Sequence, residues 1–397
     1  MSTDTPDYPA APWRGVARHP DRRSEVGPVE LFFDLVYVFA IIQLSHVLLD
    51  HLSWAGFAET AIVFAAVWWG WNYSAWAMNW LNPANTRVQL LNAVLMLASL
   101  GMAAAIPGAF GDSGLLFAGC FVFMGILRPV FMIAAFRGRQ LASNYTALLT
   151  WSALAGVCWI AGALLPPEVR LWVWLLAVAI DYAAPLLNFR IPGAVAAPME
   201  RWDTDPEHLA ERNRLVFIIA LGESILLMGS ALADEGVPDA RSLLGLLLGF
   251  AGLTVLWWNY FALAGHEVTG GQGHTGALRF AFAYAHALMV LGAIVVAVSM
   301  ELRLTHDHLT PGLVLVAVGG PLIYLAGNLL FLRSRFGRMA LSRLIAAALL
   351  ALIGAAGLLY YERLPVTAVT LPVLLVMAAL AVLTARSRAA GTRTPAP

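Results

Sequence analysis

Apolar residues gather in twelve successive runs, most of them roughly 18 to 25 residues long. A helix of about 20 residues crosses the ~30 Å hydrocarbon layer of a bilayer. Inside that layer a helix is one of the few backbone forms that pairs every N–H and C=O internally. The runs cover approximately 29–50, 54–80, 86–109, 113–136, 142–165, 168–189, 209–233, 240–265, 275–302, 309–333, 339–361 and 365–386. Turn chemistry separates them: Asn82-Pro83, Pro107-Gly108, Pro166-Pro167, Gly236-Val237-Pro238, Gly270-Gly271 and Pro365. A water-soluble all-helical protein with a large core is the alternative, and composition argues against it. Charged residues make up 12% of the chain, against about a quarter in a soluble domain. With 60% hydrophobic residues and a mean hydropathy of +0.74, too little polar surface remains to cover a globule. The fold class expected is all-α, a polytopic membrane protein of about twelve transmembrane helices.

Every basic residue is Arg, which makes arginine a topological tracer. If the N-terminus is cytoplasmic, nineteen of the 24 fall in the tails and even-numbered loops, Arg212 and Arg214 among them. Arg170, Arg241, Arg303 and Arg363 fall on the other side, and Arg128 lies inside a span. Both termini are therefore expected on the cytoplasmic side of the inner membrane. The first 28 residues, rich in Pro, Asp and Arg, lack the apolar stretch of a signal peptide and read as a cytoplasmic tail. Net charge of zero gives no nucleic-acid signal. Cys120 and Cys158 lie within apolar runs and suggest neither a disulfide nor a redox site.

The chain also echoes itself. LFFDLVYVFAIIQLS at 31–45 resembles LVFIIALGESILLMGS at 215–230, and Trp71-Asn72-Tyr73 recurs as Trp258-Asn259-Tyr260 in the following helix. Arg137 and Arg139 close the fourth span as Arg333 and Arg335 close the tenth. An offset of six helices leaves both copies pointing the same way, so two parallel six-helix repeats are expected, with a site where they meet. The expected domains are a tail (1–28), a first repeat (29–189), a cytoplasmic loop (190–208), a second repeat (209–386) and a tail (387–397).

An ionised side chain at the bilayer centre costs about 2.5 to 3.5 kcal/mol on insertion scales, so those that remain usually have partners or a task. The first helix places Glu30, Asp34 and Tyr37 on one face. The fourth carries Arg128 before Pro129, the sixth Asp181 before Tyr182, the seventh Glu223-Ser224 and the ninth His286. Arg128 and Asp181 sit at similar depth, so Asp181 is the first expected partner of Arg128 and Asp34 the second. If that network only locks helices together, the carboxylates without an arginine, Glu223 foremost, are the functional ones. His286 reads equally as a proton relay or a helix-to-helix hydrogen bond. The Trp68–Tyr73 and Trp257–Phe261 clusters fit an aromatic belt at the interface. The repeated amides suggest instead that Asn72, Tyr73, Asn259 and Tyr260 line a vestibule. His46 and His51 read as structural. The His306-x-His308 pair and the loop with His266, Glu267 and His274 are weak metal signals, and no metal or cofactor is assigned.

The strings VELFFDLVYVFAIIQLS, WWGWNY, Ile106-Pro107 and FIIALGESIL resemble, in that order, the bacterial low-temperature-requirement A family over residues 29 to about 335. The resemblance implies a multi-spanning membrane protein, named for a cold-growth phenotype, with no settled biochemical activity. It makes Glu30, Asp34, Glu223 and Ser224 motif positions and attaches no catalytic role to them. The family's usual E-R-x-G-L-F stands here as Glu211-Arg212-Asn213-Arg214-Leu215-Val216-Phe217, with Arg214 in place of glycine.

Three functions stay open. The first is a transporter or channel for a small solute or ion, proton-coupled through Glu223, with Asp34 and Arg128 as gate or substrate pair and His286 as relay. The second is a membrane-embedded enzyme on a lipid-like, isoprenoid substrate with Asp34 or Glu223 as acid. The chain lacks the D-D-x-x-D, P-loop, H-E-x-x-H and G-x-S-x-G motifs. The third is a non-catalytic envelope protein supporting growth in the cold, its 190–208 loop with Pro192, Pro198, Asp203 and Asp205 meeting a partner. Expected partners are the lipid bilayer and a small solute, ion or lipid-like ligand; homo-oligomer formation is compatible with all three.

Overall fold

The computed structural model describes residues 13–19, 25–191, 202, 204–234, 240–264, 275–305, 308–337 and 339–391. Pro192, Pro198, Asp203, the loop with His266, Glu267 and His274, and His306 lie outside the described residues. The helices are α1 (Pro28–Asp50), α2 (Trp54–Met78), α3 (Thr86–Ala104), α4 (Gly114–Ala135), α5 (Gln140–Ala163), α6 (Pro167–Leu186) and α7 (Pro206–Asp234). They continue as α8 (Ala240–Ala264), α9 (Thr275–Arg279), α10 (His286–Thr305), α11 (Pro311–Phe336), α12 (Leu341–Tyr360) and α13 (Thr367–Gly391). A π-helical turn, Phe280–Ala285, joins α9 to α10. Each predicted run is a helix whose ends differ from the prediction by no more than about five residues.

Eleven stretches among the described residues are long and apolar enough to cross a membrane, Ala277–Arg303 counting as one. The protein is therefore an all-helical, multi-pass membrane protein. The remaining helix, α2, has 25 residues, about 37 Å at 1.5 Å per residue. Glu59, Asn72, Tyr73 and its tryptophans lower its hydropathy, and Trp68, Trp69 and Trp71 are buried in protein. Trp257 and Trp258 are about half exposed, at 47% and 49%. The two WNY strings thus differ most at the tryptophan: Trp71 is buried and Trp258 half exposed, while Asn72, Asn259 and Tyr260 are all buried.

The chain divides into two compact units. The first takes in residues up to Val47 and Trp54–Arg212; the second takes in Leu48–Ser53 and, apart from 274–276, the chain from Asn213 onward. Helix ends follow local chemistry. Asn85 caps α3 by accepting from Arg87 N at 2.9 Å. Thr310 caps α11, with Pro311 at its first position, and Gly337 in the left-handed region (φ 65°) ends it. Asp205 caps α7 through Oδ1, which accepts from Glu207 N (2.8 Å) and His208 N (3.3 Å). In the second unit α10 and α11 pack backbone to backbone, glycines forming the contact: a Cβ on Gly292 would meet Tyr324 N at 2.6 Å.

Several arginines predicted for loops are buried. Arg170 donates to the carbonyls of Ala109, Gly111, Gly162, Ala163 and Leu165, closing the C-terminal end of α5. Arg343 donates to Asn328 Oδ1 at 3.3 Å. Arg18 and Arg212 are buried as well, at the site below.

Candidate functional site

Glu30 and Asp34 stand one turn apart on α1 and point the same way, because side chains four residues apart share a helix face. His208 and Arg212 have the same spacing on α7, and the two pairs meet inside the first unit. Arg212 donates from one guanidinium nitrogen to Glu30 Oε2 (2.7 Å) and from the other to Asp34 Oδ1 (2.5 Å). A planar fork suits that double role better than an ammonium would. Arg18 donates to Glu30 Oε1 at 2.5 Å, and Gly27 N donates to the same oxygen at 3.1 Å. Arg18 arrives there because Arg18 N donates to Trp80 O and Asn82 N to Val16 O, which lays residues 16–18 along the end of α2. Trp71 Nε1 completes the cluster with a 2.8 Å bond to Asp34 Oδ1, and its ring lies 5.8 Å from the Arg212 guanidinium carbon. Glu30, Asp34, Arg18, His208 and Arg212 are all buried.

The hydrogen bonds settle the tautomer of His208. Asn79 Oδ1 accepts from Asp205 N at 2.6 Å, so the Asn79 amide nitrogen is the atom facing His208 Nδ1, at 3.1 Å. An amide nitrogen only donates; Nδ1 therefore accepts, and Nε2 carries the proton given to Glu30 Oε2 at 2.8 Å. With the imidazole neutral, the two carboxylates balance the two guanidinium groups. Asp34 Oδ2 alone among the carboxylate oxygens of this cluster has no hydrogen-bond partner.

A second group lies in the same unit. Arg128 is 2% exposed and donates to Gly70 O at 3.2 Å; its Nε has no partner. The Tyr73 ring lies 5.9 Å from its guanidinium carbon. Arg128, Tyr73 and Asp181 line one small cavity with Trp69, Gly125 and Ser152. The pairings expected for Arg128 do not form. Asp34 is taken by Arg212, and Asp181 Oδ2 accepts from Trp159 Nε1 at 3.0 Å. The reason is geometric: α7 brings a two-pronged cation to the α1 carboxylates, while Trp159 of α5 reaches Asp181 across its own helix pair.

In the second unit Tyr260 and His286 are joined. His286 Nδ1 lies 2.7 Å from Ala281 O, across the π-helical turn, and must donate because a carbonyl only accepts. Nε2 then accepts from the Tyr260 hydroxyl at 3.1 Å, and the Tyr260 ring stacks on Phe217 at 3.8 Å. Tyr260→Phe should leave that buried nitrogen unpaired and cost about 1–3 kcal/mol, read as a lowered melting temperature. A variant melting with the parent would contradict the assignment. Asn259 is tied to Val255 O and Met377 O, both at 3.0 Å, whereas Asn72 Nδ2 in the first unit has no partner. Glu223 and Ser224 are buried in α7. Among the described residues no group of three His, Cys, Asp or Glu could hold a metal ion.

Sequence reasoning missed Arg18, Asn79, His208 and Arg212. The readable signal was Asp205-Pro206, a capping residue before a first-turn proline, which starts α7 early enough to put His208 and Arg212 on one helical face. The segment with Arg214 in place of the family's glycine is mid-helix, so no turn is at stake there.

The model of the bacterial low temperature requirement A protein (LtrA) family matches residues 25–384. An uncharacterized protein, RA0937, of Rhizobium meliloti (strain 1021) is 36% identical over 312 residues, which is 76% of this chain and 75% of that protein. No solved structure matches the chain. With the family model matched over residues 25–384, the chain belongs to the bacterial low temperature requirement A family.

Proposed function

We propose that the protein is a transporter or channel for a small solute or ion, coupled to protons through its buried carboxylates. The observation that carries this reading is a continuous row of buried polar groups on two helices of membrane-spanning character and on the segment before α1 that packs against them. It runs from Arg18 through Glu30, with His208 at its side, and Arg212 to Asp34. Its outer end adjoins a cleft of ≈890 Å³ lined by Arg18, Glu25, Gly27, Asn82, Pro83 and Gln89, roomy enough for water and small solutes. Buried ionisable groups in membrane helices are costly and mark pathways and proton relays by default. Asp34, at the inner end with one oxygen unpartnered, is the group that takes and releases the proton in this reading. Glu223, buried on α7, is the second candidate, and the His286–Tyr260 pair a relay. The arginine bias supports an inner-membrane orientation with both termini cytoplasmic. The recurring WNY strings support two parallel repeats.

The test is flux. Purified protein in liposomes loaded with a pH-sensitive dye is challenged with small solutes and ions under a proton gradient. The expected result is proton movement linked to one of them and lost in Asp34→Asn or Glu223→Gln. Liposomes that move nothing, or variants that behave as the parent, overturn the proposal. A second reading, the non-catalytic envelope protein, has one observation in its favour: Glu30 is gripped by Arg18, His208 and Arg212 at once, as a fastening would be.

A further inference from the structure

Three arginines are buried in the first unit's helices, and Arg170 among them gives its guanidinium to five backbone carbonyls. Arg212 is neutralised by Glu30 and Asp34. Arg128, on α4, has no ion pair with any carboxylate among the described residues, and its single hydrogen bond goes to a backbone carbonyl. A guanidinium does not readily give up its proton, so burial cannot be relieved by neutralisation. An uncompensated buried charge is unfavourable by several kcal/mol, and more so where hydrocarbon surrounds the protein. The electrostatic neighbours of Arg128 are Tyr37, Tyr73 and Tyr145, whose hydroxyls are hydrogen-bond donors rather than counter-charges.

The cavity beside Arg128 is the missing element. Its open space is ≈310 Å³, part of it continuous with the surroundings, and a water-sized particle has ≈10 Å³ in which to place its centre. That is room for a single small particle. Its walls are the Arg128 guanidinium, the aromatic faces of Trp69, Tyr73 and Phe121, Ser152 and, as the one acid, Asp181. Asp181 directs Oδ2 to Trp159 Nε1.

We propose that this cavity binds a small monovalent inorganic anion of chloride size, with Arg128 as its counter-charge. The anion supplies the negative charge that the protein does not, and the Arg128 guanidinium on the cavity wall is its donor. Asp181 on the facing wall opposes anion entry when ionised and so limits affinity. Binding is read without flux, so failure of the transport reading leaves this site standing, and the reverse.

The test uses the full chain, purified in detergent with halide replaced by gluconate and titrated with sodium bromide. Bromide quenches indole fluorescence, and Trp69 lines the cavity. The expected result is a saturable quenching component absent from Trp69→Phe. Binding should weaken about tenfold or more in Arg128→Gln and only a few-fold in Arg128→Lys, which keeps the charge. Asp181→Asn should bind bromide several-fold more tightly, because a competing negative charge is gone. Should Arg128→Gln fail to fold, the parent, Arg128→Lys and Asp181→Asn decide between them. Quenching that is linear and equal in all proteins overturns the proposal. Saturable quenching confined to Asp181→Asn also overturns it, by making Asp181 the native counter-charge.

Discussion

Arg212→Leu is expected to cost about 3–5 kcal/mol of stability, the usual consequence of removing one partner from a buried ion-pair network. The substitution strips Asp34 of its guanidinium and takes from Glu30 the donor at 2.7 Å. Glu30 keeps Arg18, His208 and Gly27 N, so the deficit falls mainly on Asp34, whose remaining bond is the one from Trp71. This makes a rescue specific. Asp34→Asn in the Arg212→Leu background removes the unbalanced charge while keeping an oxygen for Trp71 Nε1, and should restore most of the lost stability. Melting temperature and the monodisperse fraction on gel filtration, compared across the parent, both single variants and the double variant, measure it. Equal melting of Arg212→Leu and the parent, or a double variant no better than the single, would remove the network from the account of stability.

Gly327→Leu should be at least as damaging, for a reason of shape. Its Cβ would stand 2.6 Å from Ala285 O and 2.9 Å from Met289 N, and neither backbone atom can swing aside. Gly292 and Gly320 are in the same position: a Cβ on Gly292 would lie 2.6 Å from Tyr324 N, and one on Gly320 2.8 Å from Val296 N. Any side chain at these positions must drive α10 and α11 apart, and overpacking of this kind costs about 3 kcal/mol or more when backbone is the obstacle. Membrane helices associate largely through such close packing, so the contact has no hydrophobic reserve to draw on. Gly319 is the control. It is one residue from Gly320 and a Cβ there meets nothing within 4 Å. Gly319→Leu should melt near the parent while Gly327→Leu gives little monodisperse protein. Similar behaviour of the two would mean that the helix contact tolerates separation.

These residues also show what kind of information a sequence carries. The glycines of α11 are visible as letters, yet nothing along the chain distinguishes Gly319 from Gly320. The difference is which of them faces α10. Arg212 was legible as a cation near a helix start, and its charge argued for the membrane interface. Its burial follows from two carboxylates on another helix, 178 and 182 residues away in the chain. Arg128 was legible as a buried cation, and its depth suggested Asp181. Equal depth does not fix azimuth, and Asp181 directs an oxygen to Trp159 instead. Of the eleven residues singled out from sequence, Glu30 with Asp34, Tyr260 with His286, and Arg128 with Tyr73 and Asp181 are brought together in space.

The helices, their approximate ends and the membrane class are legible along the chain. A helix closes its hydrogen bonds within four residues, caps and prolines act locally, and the hydrocarbon layer sets one length for every span. Which cation meets which anion, and which glycine touches a neighbouring backbone, emerged from the packing of the helices. Those outcomes depend on how helices are rotated and stacked against one another, and a rotation of one residue's worth, 100°, exchanges a buried partner for the lipid.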